Sequence, residues 1–479
     1  MSDAAPASRF DCTPEAALAA VAAHEGLLLV DLDETLYLRN STEDFIDSAV
    51  PGLLALLLMK LLDLLKPWRW TGGAPTRDAW RVRLICVLMP WTMMLWRRRV
   101  ARRATGYTNQ PLASALRARA PAPLIATVGF LPIVTPLLAA MGFAEARVVA
   151  SRLFVFEDRR GGKLRLLSAA LGDAAVREAM VISDSGDDLP LLAACARPLR
   201  VVWPDARYRT ALSRCYWPTE YLARIKRPGE RYFFRGVLQD DFGYWLLASV
   251  TLAAYPLFHV AGLLLLLISF WAIYELGYVD NDQVAKRFER EPKLSAEFFR
   301  NPVATPAWQP WIWAAGFGAA AIFVLRLPGR PPAADFLRWL AVLVAAHWWF
   351  RLYNRVDKNT RVWMFPVLQL ARSSAFVVLV PISLVGTIAL SAHLFSRWVP
   401  YYVYRFGGQD WPETQPHLIR LVFFVLIAGL FAIAVGPAAV LNYPALALLL
   451  WTAFRARREF AGAIGSASRL DHEVPREPR

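Results

Sequence analysis

Cysteine and histidine are scarce in this chain: its 479 residues include four cysteines and six histidines. Cys12, Cys86, Cys195 and Cys215 have neither paired nor metal-type spacing, which argues against a disulfide framework and a zinc site and reads as reduced, packed thiols. His259, His347 and His393 show no ligand spacing either and read as interface residues. Met1 to Cys12 carries acidic residues and no apolar core, so no secretory signal is expected. No repeat of fixed period is present. Acids are outnumbered, with 39 Asp and Glu against 54 Lys and Arg, a formal net charge of +15. Because the basic residues flank apolar runs and no recognition motif accompanies them, this charge points to anionic lipid headgroups rather than nucleic acid.

What is present divides unevenly along the chain. Up to about residue 217, apolar strand-like runs alternate with charged helical segments; from Gly243 the chain becomes long apolar stretches rich in Trp and Phe. Apolar spans can be drawn near 243–257, 260–278, 309–327, 334–353, 373–393, 418–434 and 438–454, with 361–372 as a half-span, giving seven or eight membrane helices. Basic residues after the second span (Lys286, Arg287, Arg290, Lys293, Arg300) and the fourth (Arg355, Lys358, Arg361) place those loops in the cytoplasm. The reading is therefore an N-terminal segment 1–23, an α/β domain 24–217, a basic and aromatic interfacial linker 218–242, a helical membrane domain 243–456 and a polar tail 457–479. An inner, cytoplasmic membrane is the expected location, with the α/β domain in the cytoplasm.

In the first half, four apolar runs read as strands of a doubly wound parallel sheet: residues 24–35, Leu124 to Thr127, Val181 to Asp184, and Leu199 to Val202. An insertion near 37–122 is too long for a loop and reads as a helical cap. Its runs Val50 to Leu65 and Leu84 to Trp96 fall short of the roughly 20 apolar residues that span hydrocarbon, so they are either packed cap helices or helices lying in the interface. Two acidic clusters follow apolar runs, Asp31-Leu32-Asp33-Glu34-Thr35 and Asp184-Ser185-Gly186-Asp187-Asp188. Carboxylates at strand ends gather at one edge of a parallel sheet, where such folds bind ligands.

These residues resemble the haloacid dehalogenase (HAD) superfamily. An Asp-x-Asp-x-Thr pattern is met by Asp31, Asp33 and Thr35, a strand-end hydroxyl by Thr127, a lysine by Lys163, and a terminal acidic pair by Asp184 and Asp188; Ser183 stands where glycine is usual. The resemblance implies a Rossmann-like fold and a phosphatase. Asp31 is the implied nucleophile and Asp33 the general acid and base, with Thr127 and Lys163 binding the phosphoryl group. Magnesium is the implied cofactor, at a metal site drawn from Asp31, Asp33, Asp184 and Asp188.

A HAD domain followed by a multi-span domain is similar to bacterial fusions with UbiA-type prenyltransferases. Asn281-Asp282 ends the second span and Tyr353 with Lys358 the fourth, in partial agreement with an Asn-Asp-x-x-Asp-x-x-x-Asp motif and a Tyr-x-x-x-Lys segment. Ala285 replaces the next Asp, Glu289 the last, and the Tyr-to-Lys interval is one residue longer. Leu418 to Ala453 lacks any acid, so a second Asp-rich motif has no counterpart. The expected protein is a membrane-bound phosphatase acting on a phosphorylated small molecule or lipid-linked phosphate. Two alternatives stand beside it: an active prenyl transferase with Asp282 and Glu289 holding one metal, and a transporter or lipid-binding scaffold with a regulatory HAD domain.

Overall fold

The computed structural model describes residues 9–300, 306–406 and 415–467. Residues 1–8 of the expected N-terminal segment and 468–479 of the expected tail lie outside these. Two compact units divide between Cys215 and Tyr216.

The first unit runs α1 (Pro14–Ala23), β1 (Leu28–Asp31), α2 (Ser41–Ile46), α3 (Gly52–Leu65), α4 (Arg77–Leu88), α5 (Trp91–Tyr107), α6 (Gln110–Arg117), β2 (Leu124–Phe130), α7 (Leu131–Ala140), β3 (Arg147–Ser151), α8 (Phe156–Arg160), α9 (Gly162–Leu171), α10 (Asp173–Glu178), β4 (Met180–Ser183), α11 (Leu189–Ala194) and β5 (Arg197–Arg200). The five strands form one sheet in the order β3-β2-β1-β4-β5, every pairing parallel. Parallel sheets need cover on both faces, and the strands comply. Leu29, Leu124, Ala126 and Val181 pack with Leu167, Val176, Leu191 and Leu192 from α9, α10 and α11, while the alternate Leu28, Val30, Ile125 and Ile182 are also buried. β3 lies outside the four expected strands; its burial is weaker than that of β1, as befits an edge strand. β5 ends at Arg200, two residues before the expected Val202.

The insertion is α2 to α6. The expected run Leu84 to Trp96 is broken by Pro90, which lacks the N–H a continuous helix requires, and becomes the end of α4 and the start of α5. α3 is apolar on two faces at once. Ala55, Leu56, Met59 and Leu62 are buried, whereas Leu54, Leu61, Leu64 and Leu65 are exposed. Arg81 on α4 clamps Glu43 on α2 through two bonds of 2.5 and 3.0 Å, and Glu43 also accepts from Ala211 N at 2.6 Å.

The second unit contains α12 (Gly243–Ser249), α13 (Pro256–Phe288), α14 (Ala296–Arg300), α15 (Trp308–Leu325), α16 (Ala333–Arg355), α17 (Lys358–Ser374), α18 (Leu384–Phe406), α19 (Pro416–Val435) and α20 (Tyr443–Ala467). Among the described residues, three helices are long and apolar enough to cross a membrane: α13, α15 and α19. Several expected boundaries move. The span 243–257 breaks after α12, 373–393 straddles the gap between α17 and α18, and α20 continues past 457, where the tail was expected. α13 is 33 residues long, about 50 Å at the α-helical rise, so Asn281 and Asp282 lie within its last turns rather than at its end.

Segment 218–242 is not a free linker. Glu275 on α13, fully buried, accepts from Tyr216 Oη, Thr219 N and Leu222 N. Asp240 meets Arg397, Arg420 and Arg455 at 2.6 to 3.1 Å, and Asp241 meets Arg372 at 2.8 Å. Arg372 thus has a partner invisible in the local sequence, because 131 residues separate the two. Buried charge is tolerated when it is paired and hydrogen-bonded, and these pairs draw the segment into the helical unit.

Removing one partner of a buried ion pair strands the other. Arg81→Ala is expected to destabilise the first unit by about 3 kcal/mol or more, measured as a fall in the denaturant midpoint, while Arg77→Ala, at an exposed pair with Asp63, changes it by less than about 1 kcal/mol.

Candidate functional site

β1 and β4 are hydrogen-bonded neighbours, with Val30 opposite Ile182, so Asp31 and Ser183 leave the sheet side by side at its carboxyl edge. Lys163, second residue of α9, reaches into this edge after Gly162, whose φ of +71° turns the chain in the left-handed region. Its buried ammonium stands 2.7 Å from Asp31 Oδ1 and 2.5 Å from Asp188 Oδ2. Leu32 N also donates to Asp31 Oδ1, at 2.7 Å. Thr35 Oγ1 donates to Asp184 Oδ1 at 3.0 Å and accepts from Asp184 N at 3.1 Å, tying the two acidic clusters together. The turn after β1 passes through Glu34 at φ +60°, and Ser41 N donates to Asp33 Oδ1 at 2.7 Å.

Asp31, Lys163, Ser183 and Asp188 thus form one hydrogen-bonded group, next to the Thr35–Asp184 pair. Asp33 sits at its margin, held by α2. Thr127 is buried on β2 one residue beyond Ala126, the residue opposite Asp31; its Oγ1 accepts from Gly129 N at 2.9 Å. β2 continues three residues past this hydroxyl, with an irregularity in its pairing to β3 between Ala126 and Phe130. Sequence reasoning missed the part played by Ser183: its Oγ lies 3.1 Å from Asp31 Oδ2 and 2.5 Å from Asp188 Oδ2. The signal was there, a hydroxyl where the motif usually has glycine.

Burial dominates the electrostatics. It pushes the Asp31 carboxyl up to about 7, against the pull of Lys163 and with the help of Asp188 and Asp184. Asp33 rises to about 6 through burial, opposed by the Ser41 N–H, and Asp184 to about 6 through burial and the nearby Glu34. Burial works against the Lys163 ammonium, but Asp31 and Asp188 outweigh it and raise its pKa above the usual lysine range. Among the described residues no three His, Cys, Asp or Glu side chains are already grouped as a metal cage. The donor chemistry still fits a hard divalent cation. Asp31 and Asp184 are oxygen donors from adjacent strand ends whose charge burial disfavours, and Asp188 is engaged by Lys163 and Ser183.

In the second unit, Asn281, Glu289, Tyr353 and Lys358 all line one cavity of about 530 Å3; Asp282 does not. Asp282 is buried, accepting from Tyr221 Oη at 2.8 Å and paired with Lys226. Glu289 faces Arg361 at 3.5 Å and Lys358 at 3.7 Å. Asn281 donates to the buried Asn354, at 3.1 Å, a residue that the sequence pattern did not single out.

No protein-family model matches this chain, and no curated protein or solved structure matches it.

Raised carboxyl pKa values stabilise the fold below the unfolded value near 3.8 and lose that contribution as pH climbs through 6 to 7. Asp78 and Asp158, whose pKa values are lowered, act only below that window. Calorimetry of the metal-free full chain in detergent is therefore expected to show the first unit melting lower at pH 8 than at pH 5, by about 5 °C or more. Added magnesium should raise the midpoint at pH 8 more than at pH 5.

Proposed function

We propose that this chain is a membrane-bound, magnesium-dependent phosphohydrolase of the HAD type acting on a lipid-linked or prenyl-derived phosphate, with a UbiA-like helical bundle as its second unit. The observation that carries the reading is the cluster at the carboxyl edge of β1 and β4. One buried ammonium is shared by Asp31 and Asp188, with Asp184 fastened to Thr35. That arrangement offers a carboxylate nucleophile beside a fixed positive charge.

Asp31 attacks phosphorus to form an aspartyl-phosphate, which divides one slow displacement into two steps. Asp33, with a pKa of about 6, is poised to give a proton to the leaving oxygen and then to take one from the hydrolytic water near neutral pH. Lys163 offsets phosphoryl charge while Asp188 and Ser183 hold it and Asp31 in place. Thr127, on β2 beside Asp31, is the phosphoryl-oxygen donor in this reading. Magnesium, when bound, supplies positive charge that favours ionised Asp31; Asp31, the carbonyl of Asp33 and Asp184 would hold it.

Two features favour a lipid-borne substrate. Among the described residues, three helices of the helical unit are long and apolar enough to cross a bilayer, and we read the unit as multi-pass in the cytoplasmic membrane with the first unit facing the cytoplasm. The cap also presents an apolar surface to solvent: Leu64 is 76% and Trp70 81% exposed, with Val87, Leu88 and Trp91 exposed near by in sequence and Arg97, Arg98 and Arg102 following on α5. Apolar side chains beside arginines are the composition of a surface that lies on anionic headgroups.

Phosphate release from phosphorylated lipid-linked sugars, assayed with magnesium, is the test. Asp33→Asn is expected to lose about 10²–10⁴ in rate and Asp31→Asn to fall to background; equal release from Asp31→Asn and the parent chain would refute the reading. A Leu64→Glu/Leu65→Glu/Trp70→Glu variant should lose turnover of lipid-borne substrate in vesicles while keeping turnover of a small soluble phosphate ester.

A further inference from the structure

The cavity of the helical unit is built for an anion, and its carboxylates are not disposed to bring a metal to it. Among the described residues, eight basic side chains line it against two acidic ones, Glu289 and Glu291. Glu289 is bracketed by Arg361 and Lys358, and Asp282 lies behind the wall with Lys226 on its carboxylate. Asp282 is thus withdrawn from the cavity, and Glu289 stands between two cations rather than beside a second acid. Ala285 lines the cavity at the position where the resemblance would put the next acid, and brings no donor.

The opposite is true of the cations at the mouth. Lys293 Nζ donates to Tyr404 Oη at 2.7 Å, and Arg405 Nε donates to Tyr401 Oη at 3.1 Å. Among the described residues neither has a carboxylate partner. Lys293 is exposed and Lys358 has a side chain 58% exposed, so their remaining N–H groups are open to a ligand. Each tyrosine hydroxyl that accepts from a cation keeps its own proton; Tyr404 is free to donate it, and Tyr401 shares a 2.7 Å contact with Tyr353 Oη. Further in, Phe350, Phe365 and Leu368 give the same cavity an apolar wall. Arg397 also lines the cavity and is joined to the buried Asp240 group at 2.6 Å.

We propose that this cavity binds the phosphate or diphosphate group of an amphipathic ester through Lys293, Lys358 and Arg405 and the tyrosines beside them, without a bridging divalent cation, with Phe350, Phe365 and Leu368 receiving the ester's apolar part. Charge-assisted hydrogen bonds from ammonium and guanidinium groups take the place of a metal. The inference goes beyond hydrolysis in the first unit and does not depend on it.

The test uses the full chain in detergent, in an Asp31→Asn background that prevents hydrolysis, with a C20 polyprenyl diphosphate as probe and calorimetric titration as readout. Expected is an affinity that EDTA changes by less than about threefold and that Lys293→Gln/Arg405→Gln lowers by about tenfold or more, the loss two charged hydrogen bonds imply. Lys358→Gln, at an exposed side chain, is the milder variant and should lower it by several-fold. Loss of binding in EDTA, or parental binding by both variants, would overturn the proposal. Inorganic diphosphate distinguishes the source: failure to displace the probe at similar concentration supports a lipid-borne ligand, and displacement overturns the part given to Phe350, Phe365 and Leu368. Because hydrolysis is assayed with Asp31 intact and binding with Asp31→Asn in EDTA, the two readings fail separately.

Discussion

Lys163 holds its ammonium between two carboxylates at the edge of a parallel sheet, and the geometry of the first unit follows from keeping it there. Burying an ammonium is costly unless it is paired, and here the pairing is double, Asp31 on one side and Asp188 on the other. For both acids to reach it, β1 and β4 must be neighbours and α9 must begin at that edge, which the left-handed turn at Gly162 allows. The same contact that fixes the fold holds the Asp31 carboxylate in one orientation beside a fixed cation, which the proposed phosphoryl transfer would require.

Buried charge organises the second unit too, with the signs reversed. At the sheet edge of the first unit one cation gathers two acids; in the second unit Asp240 gathers Arg397, Arg420 and Arg455, and Asp241 takes Arg372. In a helical unit with apolar spans such groups have little water to fall back on, so each acid fixes several helices at once. Arginine in excess of its partners leaves net positive charge in the unit, and the cavity, lined by eight basic side chains, inherits it. A basic cavity is thus a consequence of how the helices are held.

Parts of this were legible in the chain itself. Leu28 to Asp31 and Met180 to Ser183 are short apolar runs ending beside acids, and such runs form buried parallel strands because nothing else accommodates them. The cap was legible as a helical insertion by its length, yet its apolar runs read equally as packed or interfacial; α3 packs by one face and leaves the other bare. β3 gave a weaker apolar signal, because Arg147 to Ser151 opens on an exposed arginine and is only partly buried. The segment 218–242 misled, since alternating arginines and aromatics describe a headgroup-level linker in composition, while Asp240 and Asp241 decide its place through arginines more than 130 residues away. Asn281, Asp282, Glu289, Tyr353 and Lys358 looked like one set; four of them share a cavity and Asp282 is turned away to Lys226.

The order and chemistry of the acidic clusters, the apolar runs before them and the break in composition near Gly243 were set by the sequence alone, because strand and helix signals are local and a carboxylate is a carboxylate wherever it sits. Tertiary structure alone decided which charges meet: that Lys163 joins Asp31 and Asp188, that Ser183 touches both acids, that Asp282 is already neutralised and that Lys293 and Arg405 donate to tyrosine hydroxyls. The reason is that pairing is governed by distance in space. Charges remote along the chain are sorted into partners and binding groups only once packing has removed the water between them.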